Sequence, residues 1–129
     1  MTASLVTHGI RITVETFYEA DMSRPVLHRY VHSYRITIDN ESEDTVQLLS
    51  RHWFIHDSNG SLREVQGEGV IGKQPLIAPG ETHQYISQCP LMTDIGRMYG
   101  YYTMKRESSE EEIEVDIPEF LLIAPFKSN

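Results

Sequence analysis

Cysteine is nearly absent: Cys89 is the single one in 129 residues. No intrachain disulfide can form, which excludes the bridge-stapled design of small secreted domains. Long apolar runs are missing too. The longest, over residues 120–126, contains Pro125 and falls far short of the roughly 20 residues that a membrane helix needs. The N-terminus lacks a basic segment followed by an apolar one, since its first charged residue is Arg11. Together these absences predict a soluble cytoplasmic protein with no membrane partner. Basic residues are scarce, with 11 Lys and Arg against 19 Asp and Glu and a formal charge of -8. Nonspecific attraction to nucleic acid is therefore disfavoured, and no nucleic-acid partner is expected. Seven of those acids fall within residues 107–119, which hold no Lys or Arg, so the rest of the chain carries only -1. The acidity is a local strip.

Helical periodicity is the other thing in short supply. Residues 91–99, with Leu91, Ile95 and Met98 at suitable spacing, are the one helix candidate, and Gly96 and Gly100 weaken it. Period-2 alternation is present instead. Ile10, Ile12 and Val14 alternate with polar neighbours, and residues 30–39 repeat the pattern through Tyr34, Ile36 and Ile38. Residues 45–57 form a longer strand whose apolar parity changes between Val46/Leu48 and Leu49/Trp53/Ile55, which predicts a bulge near Leu49 and Ser50 or cover on both faces. Residues 57–60 (DSNG) turn this strand back onto residues 62–66. Pro79 and Gly80 have type II turn chemistry and introduce a strand over 82–88. Residues 98–105 and 113–117 read as a last hairpin, and 120–126 as a final edge strand between Pro118 and Pro125.

About seven or eight short antiparallel strands describe an all-β sandwich of the immunoglobulin/fibronectin type III-like kind, with residues 1–129 forming one domain. Trp53, alone in a central strand, matches the tryptophan that plugs such a core, and the absence of flanking cysteines favours the fibronectin type III variant.

The strings QLLSRHWFIHD (47–57), EVQGEGVIG (64–72), GRMYGYYTM (96–104) and IPEF (117–120) occur in order, joined by QP (74–75), PGE (79–81) and YIS (85–87). On these the chain resembles the ApaG family from about His8 to Phe126. The resemblance implies a fibronectin type III-like sandwich with no established enzymatic activity, and a protein-binding role like that of related modules in eukaryotic F-box and polymerase-interacting proteins. In bacteria the family is associated with cobalt and magnesium resistance and with a gene neighbourhood that includes diadenosine tetraphosphate hydrolase.

Gly67, Gly69 and Gly72 fit G-x-G-x-x-G, with Lys73 beside them to add charge. The following Lys73, Gln74 and Pro75 open no helix, so a dinucleotide-binding context is lacking and a structural turn is the plainer reading. An anion nest for pyrophosphate or a nucleotide is the alternative. His28/His32 and His52/His56 are each four apart. On a strand that spacing is roughly 13 Å, too far for one zinc with Zn–N bonds of ~2.0 Å, so divalent metal handling ranks behind and no metal ligands are assigned. Strict alternation puts Arg51 on the face of Trp53 and Ile55, which calls for a carboxylate partner, with Glu64 or Glu68 as candidates, or a bulge that turns Arg51 outward. Arg51, Trp53 and Glu64 are thus structural or ligand-anchoring residues. Cys89 precedes Pro90 with no basic neighbour in sequence to lower its pKa, so it reads as inert, and no catalytic residue or cofactor is assigned. Alternation sends Tyr99 and Tyr101 to one face and Met98, Tyr102 and Met104 to the other, which makes the first pair a candidate aromatic patch. The expected function is a non-enzymatic module that binds a protein partner of unknown identity.

Overall fold

In the computed structural model, which describes residues 2–125, alternation becomes two antiparallel sheets facing each other. The first has the order β1 (Thr2–Thr7), β2 (Ile10–Tyr18), β3 (Tyr30–Asn40), β7 (Thr82–Leu91). The second runs β5 (Leu62–Glu68), β4 (Val46–Asp57), β8 (Ile95–Arg106), β9 (Glu112–Ile123), and the short β6 (Leu76–Ile77) pairs with β4. Two 3-10 turns, Ala20–Met22 and Pro25–Leu27, lie in the β2 to β3 connection. This is the all-β sandwich that the alternation requires, with β1 and β6 as strands that no clean alternation announces.

The core is the sum of the inward-facing residues. Ile10, Ile12 and Val14 of β2 and Tyr34, Ile36 and Ile38 of β3 face Leu48, Trp53, Met98, Tyr102, Val115 and Phe120 across the sandwich, all of them buried. Trp53 crosses both Tyr34 and Phe120 edge to face, with ring centroids 5.5 and 5.9 Å apart. The two sheets are thereby joined by aromatic contacts of the geometry that ring quadrupoles favour. Along β4 the pairing with β8 slips between Leu48 and Ser50, the bulge expected there.

Two expectations are corrected. Residues 91–99 are not helical: they hold the end of β7, a turn and the start of β8. Asp57 fixes that turn, its carboxylate accepting the N–H groups of Met92 (2.9 Å) and Thr93 (3.0 Å) and the Thr93 hydroxyl. Gly96 and Gly100 then lie against β4, where a Cβ would come within 2.7 Å of the His56 carbonyl oxygen and 2.0 Å of that of His52. Their lack of a side chain serves strand packing. Residues 120–126 do not make a separate strand either, because β9 continues through Pro118 to Ile123 and absorbs the proline at a register shift opposite Met98 and Gly100. Pro118 is tolerated on an edge strand at a bulge, where no ladder hydrogen bond is lost. Phe126 lies outside the described residues.

The two long sides of the sandwich differ. On one, β1 and β2 pack against β9, and Thr7 accepts the Asp116 N–H at 3.2 Å. On the other, β5 and β7 leave free edges, bridged by Arg63, which donates to the Pro90 carbonyl at 2.6 Å.

Inside the first sheet His32 is buried, packs edge to face on Tyr18 and has no hydrogen-bond partner for Nε2 among the described residues. Burial holds its imidazole below the ordinary range, and burial followed by the charge of Lys73 does the same at His83. The native state then binds fewer protons than the unfolded chain below pH ~6.5, so stability is whole above that pH and falls as pH drops through the lowered values. The expected result is a denaturant midpoint that is flat above about pH 7 and declines toward pH 5. In a His32→Phe variant that decline should be shallower; an unchanged slope would exclude His32 as its source.

Candidate functional site

Two regions carry side chains that the core does not use. The first is the outer face of β4 and β8. Downstream of the bulge, His52, Phe54 and His56 point away from the core, and β8 brings Tyr101 and Tyr99 beside them. The rings stack in series: Tyr101 on His52 (5.0 Å), His52 on Phe54 (4.6 Å), Phe54 on Tyr99 (5.2 Å) and Tyr99 on His56 (5.5 Å). Interplanar angles of 18–26° make these true stacks. Hydrogen bonds hold the edges, with Tyr101 to His52 Nδ1 at 3.2 Å, Glu64 to His52 Nε2 at 3.1 Å and Tyr99 to His56 Nε2 at 3.0 Å. Arg97 lies over Tyr99 and pairs with Glu119 at 2.7 Å. Each ring is half-buried by its neighbours and presents its remaining area to solvent. Beyond the ladder, Glu112, Glu114 and Asp116 on β9 are exposed, so part of the acidic strip borders the aromatic rings.

The second region is the cleft on the open side, between β5 and β7. One hollow of about 240 Å³ is lined by Tyr34, Arg51, Trp53, Glu68, Val70, Ile71, Gly72, Tyr85 and Ser87. A second, of about 380 Å³, lies near Leu27, Arg63 and Met92. Arg51 is on the inward face, half-buried beside Trp53 as alternation demands, but its partner differs from the expected one. The guanidinium is met by carbonyl oxygens, Nη1 donating to Gly69 at 2.8 Å and Glu68 at 3.2 Å, and no carboxylate pairs with it among the described residues. Glu64 faces outward and serves His52, while Glu68 supplies its backbone and lines the hollow. The reason is register. Gly67 stands directly opposite Arg51, and a Cβ there would fall 2.8 Å from the guanidinium nitrogens, so the glycine opens the space in which that group lies.

The remaining glycines of the string shape a tight hairpin. Val70 and Lys73 exchange backbone hydrogen bonds of 2.8 and 3.0 Å, with Ile71 (φ 49°) and Gly72 (φ 72°) between them. Positive φ at both central positions is the type I′ signature. Gly69, at φ 62°, would place a Cβ 2.1 Å from the Lys73 carbonyl oxygen, and its N–H bonds Leu49 at 2.8 Å. Val70 is buried in the core. The N–H groups of Gly69, Val70 and Lys73, which a phosphate nest would use, are thus engaged by the protein itself.

Of the other candidates, Trp53 lies between the sheets and Cys89 is buried, its thiol pushed up to about 11 by burial against the opposing pull of Arg63. Among the described residues, no three of His, Cys, Asp and Glu are grouped to hold a metal ion. No helix among them is long and apolar enough to cross a membrane.

The ApaG domain profile matches residues 20–106. Protein ApaG of Brucella abortus (strain S19) is 52% identical over 122 residues, which is 95% of this chain and 93% of that protein. The chain belongs to the ApaG family. Protein ApaG of Brucella anthropi is also 52% identical, over 93% of this chain and 92% of its own length. A crystal structure of a putative ApaA protein from Bordetella pertussis superposes with a TM-score of 0.86 at 41% identity, covering 96% of this chain and 97% of that one. None of these ApaG and ApaA names states a catalytic activity or a ligand.

Sequence reading singled out Arg51 and the Tyr99/Tyr101 pair as candidates. It missed Tyr34, Tyr85 and Ser87 as neighbours of Arg51, because they reach the cleft from the facing sheet, and it missed His52, Phe54 and His56 as members of the aromatic ladder. A β-branched residue at positive φ is a conformational outlier that costs roughly 1–2 kcal/mol. Ile71 pays this while 62% exposed, so its burial returns little. Ile71→Asn, which installs the Asn-Gly pair favoured in type I′ turns, should therefore raise unfolding free energy by about 1 kcal/mol. Equilibrium urea unfolding checks this, and a loss of stability would show that the isoleucine side chain matters to the folded loop.

Proposed function

We propose that this protein is a non-enzymatic binding module that docks a protein partner on the outer face of β4, β8 and β9. The stacked ladder of Tyr101, His52, Phe54, Tyr99 and His56 is the observation that carries this reading. Rings locked by mutual stacking lose little entropy on binding, and aromatic side chains dominate the energetics of protein interfaces. The neighbouring acids Glu112, Glu114 and Asp116 add a negative rim. The complementary surface is therefore apolar or aromatic with lysines or arginines beside it, and the rim acts more on association rate than on final affinity.

Chemical crosslinking and affinity capture with native lysate test the assignment through paired variants. A partner recovered by the wild type should be lost with Phe54→Ser or Tyr99→Ala and retained with Ile86→Ser on the opposite sheet. Its association rate should fall with added salt, as steering by exposed charge requires. Equal recovery by all three variants would remove the ladder from the interface.

A further inference from the structure

The cleft beside Arg51 is an independent site. Arg51 brings a positive charge into a half-buried hollow without a carboxylate to balance it among the described residues. Nη1 is held by the Glu68 and Gly69 carbonyls, which fixes the guanidinium, while Nε and Nη2 have no acceptor among the described residues. Around it stand the Tyr34 and Ser87 hydroxyls and the hydrogen-bonded pair of Tyr85 and Tyr102. Two hydroxyls that share one hydrogen bond keep one proton in reserve. Tyr102 is fully buried, so when it donates to Tyr85 the reserved proton belongs to Tyr85, which lines the hollow. Burial keeps all three phenols protonated well past neutral pH. The hollow is thus a fixed cation with uncharged donors beside it, walled by Trp53, Val70 and Ile71.

We propose that this cleft binds a single carboxylate joined to an apolar body, with Arg51 as its charge partner and the Tyr85 hydroxyl as a second donor. A planar carboxylate matches the guanidinium fork. One positive charge balances one negative charge, and a second negative charge on the ligand would find no further cation in the lining. The volume of about 240 Å³ is below the ~300–1,000 Å³ of sites that enclose drug-sized ligands, so the site takes a residue-sized acid and is small for a nucleotide. Ile71, exposed and held at positive φ on the lip, gives the apolar body something to touch. Free organic acids and peptide C-termini share this chemistry.

Proton–nitrogen NMR titrations of the full chain test it with N-acetyl-leucine, benzoate, N-acetyl-leucinamide and pyrophosphate. The expected result is saturable movement of the resonances of residues 67–73 and of the Arg51 side chain with both carboxylates, and none with the amide. Tighter binding of N-acetyl-leucine than of benzoate identifies a peptide terminus as the source, and the reverse order identifies a free acid. Arg51→Gln should weaken the carboxylates by at least about tenfold. Failure of both carboxylates to move the loop, equal binding of the amide, tighter binding of pyrophosphate, or an unchanged affinity in Arg51→Gln would each overturn the proposal. The aromatic ladder faces the other way, so lysate capture and these titrations report on separate surfaces.

Discussion

One extra residue in β4 determines where the useful side chains of this molecule point. A strand has a period of two, so a shift of one position exchanges its faces. Without the bulge between Leu48 and Ser50, an inward Leu48 would force Trp53 outward, and the core would lose either its aliphatic base or its aromatic centre. With it, Val46 and Leu48 face inward on one side of the bulge, and Arg51, Trp53 and Ile55 do so on the other. The same step sends His52, Phe54 and His56 out to meet Tyr99 and Tyr101. Both candidate surfaces, the ladder and the cleft, are therefore consequences of one local irregularity.

The bulge also explains why an arginine occupies an inward position. A guanidinium facing a core is costly unless it is hydrogen-bonded. Here the strand next door is short of cover, since β5 has no partner on its far side among the described residues and its inward Val65 remains 37% exposed. Arg51 reaches this thinly covered margin, where carbonyls of the 67–72 loop accept its protons and Gly67 leaves it space. The charge is in the sandwich and at its edge at once.

The sandwich was legible wherever alternation was clean. Ile10, Ile12 and Val14, or Tyr34, Ile36 and Ile38, announce both a strand and its buried face, and the parity change near Leu49 announces the bulge. Residues 2–7 do not alternate and are mostly exposed, because β1 is held by backbone pairing with β2 more than by side-chain burial. Leu91, Ile95 and Met98 mimic helical spacing, but the interaction that decides their conformation comes from Asp57, more than thirty residues away. The same nonlocality hid the cleft. Arg51 could be placed on a face, whereas Tyr34, Tyr85 and Ser87 become its neighbours only when two sheets close over each other. The glycine string shows the converse limit: its pattern invites a phosphate, while Gly67 makes room for a guanidinium and Gly69 avoids a carbonyl, neither of which the string itself encodes.

The free edges carry a last consequence, for how this protein behaves in bulk. On β7, ten residues long, there is no Lys, Arg, Asp or Glu, and Ile86 is 58% exposed. Charge and proline are the usual guards against edge-to-edge pairing, and β7 has a single proline, at its penultimate position. Loss of the Arg63 clasp would leave this strand as the natural template for edge-to-edge pairing, on an edge that takes no part in the acidic character of the chain.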